Sequence, residues 1–155
     1  MNKIFEVVCT FFEEDDWNFE VIEDGEILRL EVSLDNGNYE CYAIADEEAK
    51  TFRFYSIAPI KVPKSKRKEI ADFLTRVNYG LILGNFELDM DDGEVRYKTG
   101  NCQNNMALSF EALKHLVYLN VTILDQYFLG IMKVTYGDVS PENAISLIEE
   151  DLDKN

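Results

Sequence analysis

The chain has 155 residues, of which 30 are Asp or Glu and 15 are Lys or Arg, giving a formal charge of −15. A chain of this length fits one domain that buries roughly 68–70% of its unfolded surface, and 46% hydrophobic with 29% charged residues is a globular balance. The acid excess argues against nucleic acid or an anionic membrane surface as the main partner, because phosphate is held by cations.

No stretch approaches the run of about 18 apolar residues that spans a membrane. Glu6 comes before any apolar run of signal-peptide length. Cys9, Cys41 and Cys102 are odd in number, widely spaced and without a C-x-x-C pair. The expectation is a reducing cytoplasm, with structural thiols in the core.

The first predicted element is a helix over about residues 2–16, where Ile4, Val7, Val8, Phe11 and Phe12 recur at helical spacing. Glu13, Glu14, Asp15 and Asp16 oppose the dipole at its C-terminus, so the helix should stop near Asp16. Residues 19–24 read as a strand ending at Gly25. Residues 27–34 alternate, with Leu28, Leu30, Val32 and Leu34 on one face. Asn36-Gly37 is a type I′ turn signal. A two-residue loop there sets Leu34 opposite Tyr39, Val32 opposite Cys41 and Leu30 opposite Ala43. After an acidic loop at Asp46-Glu47-Glu48, a strand over 51–57 extends toward Val62, with Pro59 limiting its pairing.

A helix follows from about Ser65 to Tyr79, with Ile70, Phe73, Leu74 and Val77 as its stripe. The second hairpin centres on Asp92-Gly93. A two-residue loop sets Met90 opposite Val95 and Leu88 opposite Tyr97 on the apolar face. On the other face it sets Asp89 opposite Arg96 and Glu87 opposite Lys98. Asn101 to Asn105 read as a polar loop. A long helix then starts after the N-cap Ser109, with Gly130 marking a kink and Gly137 its end. Its apolar positions from Phe110 to Ile131 cover roughly half the circumference. Such a helix is clamped between a sheet and another element, or shared with a partner chain. The expectation is a homodimer through this helix or a sheet edge, the alternative being cover by the first and last helices. Ser140-Pro141 opens a short final helix. Strands and helices do not alternate, so the fold class is α+β: one domain over 1–155, with an antiparallel sheet of about five to six strands and helices packed on it.

Signals for chemistry are few. His115 is the one histidine and falls on a polar helix face, so clusters built on His lack material. Asp89-Met90-Asp91-Asp92-Gly93 hints at a calcium loop, but with Gly93 in sixth place the first ligand would be Leu88 and the twelfth Thr99. No phosphate loop, dinucleotide fingerprint or G-x-S-x-G elbow is present. No cofactor and no catalytic activity are expected. One feature departs from a random charge distribution. Lys61, Lys64, Lys66, Arg67 and Lys68 crowd the start of the second helix, where the dipole disfavours cations. They are the candidate site for an anion or an acidic protein segment, against the alternative of a solvated helix start.

The stretch from Arg76 through Asn78-Tyr-Gly-Leu-Ile-Leu-Gly84 to Thr99 resembles the YbjN family of bacterial proteins. So do Phe11-Phe-Glu-Glu-Asp-Asp-Trp17, Phe54-Tyr-Ser-Ile-Ala-Pro-Ile-Lys-Val-Pro63 and Gly137-Asp-Val-Ser-Pro-Glu-Asn-Ala-Ile145. The resemblance covers nearly the whole chain and implies a sensory-transduction regulator with a type III secretion chaperone-like fold, often dimeric. It carries over no catalytic residues. The function expected is a non-enzymatic, cytoplasmic protein-binding domain with an unknown protein client. The alternative is a small-molecule or anion sensor using the basic helix start.

Overall fold

The computed structural model describes residues 3–23, 25–103 and 108–154. In chain order these form α1 (Lys3–Glu14), β1 (Phe19–Glu23), β2 (Ile27–Ser33), β3 (Asn38–Asp46) and β4 (Thr51–Lys61). A 3-10 turn (Lys64–Lys66) leads into α2 (Arg67–Gly80), followed by β5 (Asn85–Leu88), β6 (Glu94–Cys102), α3 (Phe110–Tyr136) and α4 (Pro141–Asp153). The strands make one antiparallel six-stranded sheet in the order β1-β2-β3-β4-β6-β5. The fold is α+β, as the element order predicts.

Local chemistry sets several boundaries. The acidic end of α1 breaks at Asp16, which takes a left-handed φ of 58°. Ser109 and Ser140 cap α3 and α4 by accepting from the backbone N–H of Ala112 and Asn143. Pro59 falls in the irregular stretch of the β4–β6 ladder between Ile57 and Lys61, where an imino nitrogen costs no regular hydrogen bond.

Both hairpins keep the predicted faces but differ from the predicted register by two residues. In the first, Val32 faces Tyr39 and Leu30 faces Cys41, with Ser33 and Asn38 as the last pair. The loop is four residues long, 34–37, closed by the Leu34 N–H on the Gly37 carbonyl at 2.9 Å. Neither Asn36 nor Gly37 has the positive φ of a type I′ turn. The turn is docked instead. The Asn36 backbone N–H donates to Asp125 Oδ1 on α3 at 3.0 Å, and its side-chain amide donates to the Asp125 carbonyl at 2.9 Å.

In the second hairpin Leu88 faces Val95, Glu87 faces Arg96 and Phe86 faces Tyr97. The predicted pairs Asp89–Arg96 and Glu87–Lys98 are not directly opposed, although Lys98 reaches Glu87 diagonally at 2.9 Å. Residues 89–93 form the loop, and Asp89 organises it: its carbonyl accepts from the Gly93 N–H at 2.8 Å and its carboxylate from the Asp91 N–H at 2.8 Å. Gly93 has a φ of 86°, and a Cβ there would sit 2.2 Å from the Val62 carbonyl oxygen.

The helices cover one face of the sheet. α3 lies across β4 and β6; α1 touches β3 and α3, α2 touches β5 and α3, and α4 rests on α2 and α3. This is why the apolar arc of α3 is so broad, and its breadth carries no argument for a second copy of the chain. α3 runs through Gly130 unbroken. A Cβ at that position would come within 2.3 Å of Ile148 Cδ1 and 2.7 Å of Phe73 Cζ, so Gly130 is a point of close helix contact and not a kink. Asn101 and Cys102, predicted as loop, continue β6, while Asn104 and Asn105 lie outside the described residues.

Polar groups fix α3 on the sheet. Asn120, fully buried, accepts from the Ser56 hydroxyl at 2.5 Å and donates to the carbonyls of Phe54 and Tyr97 at 2.9 and 3.1 Å. It also donates to the Thr99 hydroxyl, which in turn donates to the Leu116 carbonyl at 2.9 Å. One turn and a half further along, Asp125 accepts from the Tyr39 hydroxyl at 2.7 Å.

Candidate partner-binding surfaces

The five cations singled out in the sequence meet at the junction of β4 and α2, and three of them have internal partners. Lys61, the last residue of β4, pairs with Asp92 at 2.9 Å. Lys66 reaches Asp138 beyond α3 at 3.2 Å and Glu69 at 3.5 Å, and these bonds hold its ammonium pKa above the ordinary range. Arg67 makes no close ion pair among the described residues: its guanidinium donates to the carbonyls of Val62, Met90 and Asp91 at 3.0–3.2 Å, tying the start of α2 to the β5–β6 loop. The side chains of Lys64 and Lys68 are exposed and make no ion pair among the described residues. Most of the cluster's positive charge is thus directed at the protein's own acids and carbonyls.

The face of the sheet turned away from the helices is stitched by charges. Arg29 on β2 donates to Glu31 and Glu40 at 2.8 Å each and lies 3.7 Å from Glu20. The Tyr42 hydroxyl donates to Glu40, whose carboxyl is held below its usual range by Arg29 first and Tyr42 second. Across the sheet, Glu87 accepts from both Arg96 and Lys98, at 2.8 and 2.9 Å. The Arg96 guanidinium lies 4.2 Å over the Tyr55 ring, which is only 6% exposed on a face that no helix covers. On this face the charged side chains are thus largely paired with one another, and a hollow lined by Glu31, Glu40, Ile57 and Glu94 lies beside them.

The two edges differ. β5 ends the sheet on one side, and there Asn78 of α2 occupies the strand's outer backbone: its amide oxygen accepts from the Phe86 N–H at 2.7 Å and its nitrogen donates to the Phe86 carbonyl at 3.0 Å. A side-chain amide thus takes the place a neighbouring strand would fill. At the other side β1 pairs with β2 alone. Four of its five residues are exposed, including Val21 and Ile22 at 47% and 50%. A third surface, the outer side of α3, is a shallow groove formed by Tyr118, Leu119, Thr122 and Ile123 with Glu111, Lys114 and the exposed His115.

Among the described residues, no group of three His, Cys, Asp or Glu is placed to hold a metal ion, and no helix is long and apolar enough to cross a membrane. The thiols do not all lie in the core as expected. Cys41 is buried, and burial with Glu40 nearby pushes its pKa to about 12; Cys9 is half-buried and Cys102 is exposed. The roles of Asn78, Asn120 and the β1 edge were not read from the sequence. For Asn120 a signal existed: an amide set among Leu116, Val117, Val121 and Leu124 on the apolar arc.

A comparison with family profiles matches residues 5–133 to YbjN, described as "Putative bacterial sensory transduction regulator". Among solved structures, that of YbjN from E. coli superposes with a TM-score of 0.64 at 15% identity, covering 83% of this chain and 91% of the other. A chain of the ExsC–ExsE complex superposes with a TM-score of 0.59 at 11% identity, covering 81% of this chain and 91% of that one. At these identities the likeness is one of fold, the chaperone-like fold the sequence resemblance implies. The comparison with curated proteins gives no match.

Proposed function

Because the chain belongs to the YbjN family, we propose that it is a non-enzymatic protein-binding domain, chaperone-like or regulatory, whose client is another polypeptide. The observation that carries this reading is the shared fold with a chain found in a complex of two proteins. The surfaces support it: one sheet edge and one helix groove are unoccupied among the described residues, while the basic cluster is mostly engaged internally. The three free thiols support a reducing, cytoplasmic setting.

The test is capture by the purified, immobilised chain from a bacterial lysate, followed by reconstitution of the complex from purified components. The expected result is a stoichiometric complex with one or a few proteins. The sensor alternative predicts the opposite pattern: no protein complex, and a rise in melting temperature with phosphate or another small anion. That rise would have to vanish when Lys64 and Lys68 are both reversed to Glu.

A further inference from the structure

An edge strand offers unpaired N–H and C=O groups to any extended chain, and proteins normally blunt that hazard. Here one edge is blocked by a side chain, whereas the other, though short, charged and irregular near its end, is left open from Phe19 to Val21. At β5 the Asn78 amide satisfies both backbone groups of Phe86. At β1 no strand of the described residues pairs on the outer side, and Pro and Lys, two common guards of edges, are absent from Phe19–Glu23. The β1–β2 ladder is regular from Phe19 to Val21 and shifts only before Glu23.

The charges around this edge have one sign. Residues 13–26 contain eight acids and no base. Glu20 has Arg29 as its nearest cation, at 3.7 Å, and Arg29 is held more closely by Glu31 and Glu40. The Glu26 carboxyl titrates above its usual range, mainly because the Glu23 charge repels its ionised form. A second copy of β1 brought to this edge would add acids to acids, which like-charge pairing across strands opposes. The same charges favour a cation-bearing strand.

The two faces of β1 add a pattern. Phe19 and Val21 share the helix side, where they face Leu30 and Leu28, whereas Glu20 shares the open side with Arg29. The helix layer ends before Val21, which stays half exposed. A strand added beyond β1 would meet apolar surface on one face and carboxylates on the other. We propose that the β1 edge binds an extended protein segment of alternating apolar and Lys/Arg residues, added as a seventh strand. This rests on the protein-binding reading and assigns the client's chemistry and its place.

The probe is an end-capped peptide of three Lys-Val repeats, titrated into the full chain with backbone amide shifts followed by NMR. Because a chain of charge −15 attracts any polycation, the control is a peptide of equal charge N-methylated at every backbone nitrogen, which has no N–H to donate to the ladder from either edge. The expected result is saturable shifts centred on residues 19–23 and 27–33, with at least tenfold weaker binding of the methylated control. The Glu20→Lys, Glu23→Lys double variant, checked for an unchanged fold by the same spectra, should lose the Lys-Val peptide and gain a Glu-Val one. Equal binding of both peptides, shifts spread over the acidic surface, or unchanged affinity of the charge-reversed variant would overturn the proposal. A purified client whose protected amides map to the α3 groove would overturn it too, and would leave the protein-binding reading standing.

Discussion

Asn120 shows how one side chain can hold two layers together. Its amide, carried on α3, meets groups from β4 and β6 at a site with no access to water. Replacing it with Ala strands the Ser56 hydroxyl and opens a void, so Asn120→Ala is expected to cost about 1–3 kcal/mol for the unmet group, with a cavity contribution added. Urea unfolding measures this, and a cycle with Ser56→Ala should show non-additivity, because the two residues share one bond. A loss below about 0.5 kcal/mol, within the range of ordinary surface substitutions, would show that the network is not a fastening. Glu26 supplies a test of opposite sign. Its folded pKa is raised by Glu23, so its ionised form opposes folding at neutral pH, and that opposition fades as pH falls through its titration. Glu26→Gln should raise the melting temperature at pH 7. The gain should disappear near about pH 3.5, below the ordinary Glu range.

The strands and helices were largely legible in the sequence; the two hairpin registers were not. Alternation has a period of two, so it decides which face a residue takes but does not distinguish registers two residues apart. Asn36-Gly37 and Asp92-Gly93 both favour a two-residue turn locally. In the structure each is absorbed into a longer loop fastened by a carboxylate, Asp125 of α3 for the first and Asp89 for the second. A bond from residue 125 to residue 36 leaves no trace in a local pattern. The basic cluster is a similar case: its composition is plain, but Asp92 and Asp138, which take two of its lysines, lie 31 and 72 residues away. The β5–β6 loop yields a sharp prediction. Gly93→Ala would place a methyl against the Val62 backbone at a left-handed φ, and the expected loss is roughly 2–4 kcal/mol by urea unfolding. A loss under about 1 kcal/mol, less than the cost of the backbone conformation alone, would mean that the loop and the end of β4 move apart easily.

Across the whole molecule the dominant electrostatic fact is 30 acids against 15 bases. Added salt has two opposed effects. It weakens the surface ion pairs, worth about 0–1 kcal/mol each, and it screens the mutual repulsion of the surplus acids. Ion pairs are short-range and many are partly sheltered, whereas the repulsion acts over the whole surface. Going from 10 to 150 mM NaCl shortens the screening length from about 30 to about 8 Å, so the melting temperature should rise. A fall would mean that networks such as Arg29 with Glu31 and Glu40 outweigh the surplus.

The strand order also governs when the molecule can become whole. β4 has β6 as its neighbour, and Thr51 pairs with Cys102. The residue that locks the two strands to a helix is Asn120. During synthesis β1 to β4 and α1 leave the ribosome first, with Phe52 and Phe54 on a half-built sheet. The β6 strand and the α3 helix that cover them end at residues 102 and 136. At about 5–20 residues per second, roughly 4–15 s separate the appearance of β4 from that of the α3 residues above it. For those seconds, a chain that we read as a binder of other polypeptides is itself a polypeptide with its apolar face bare.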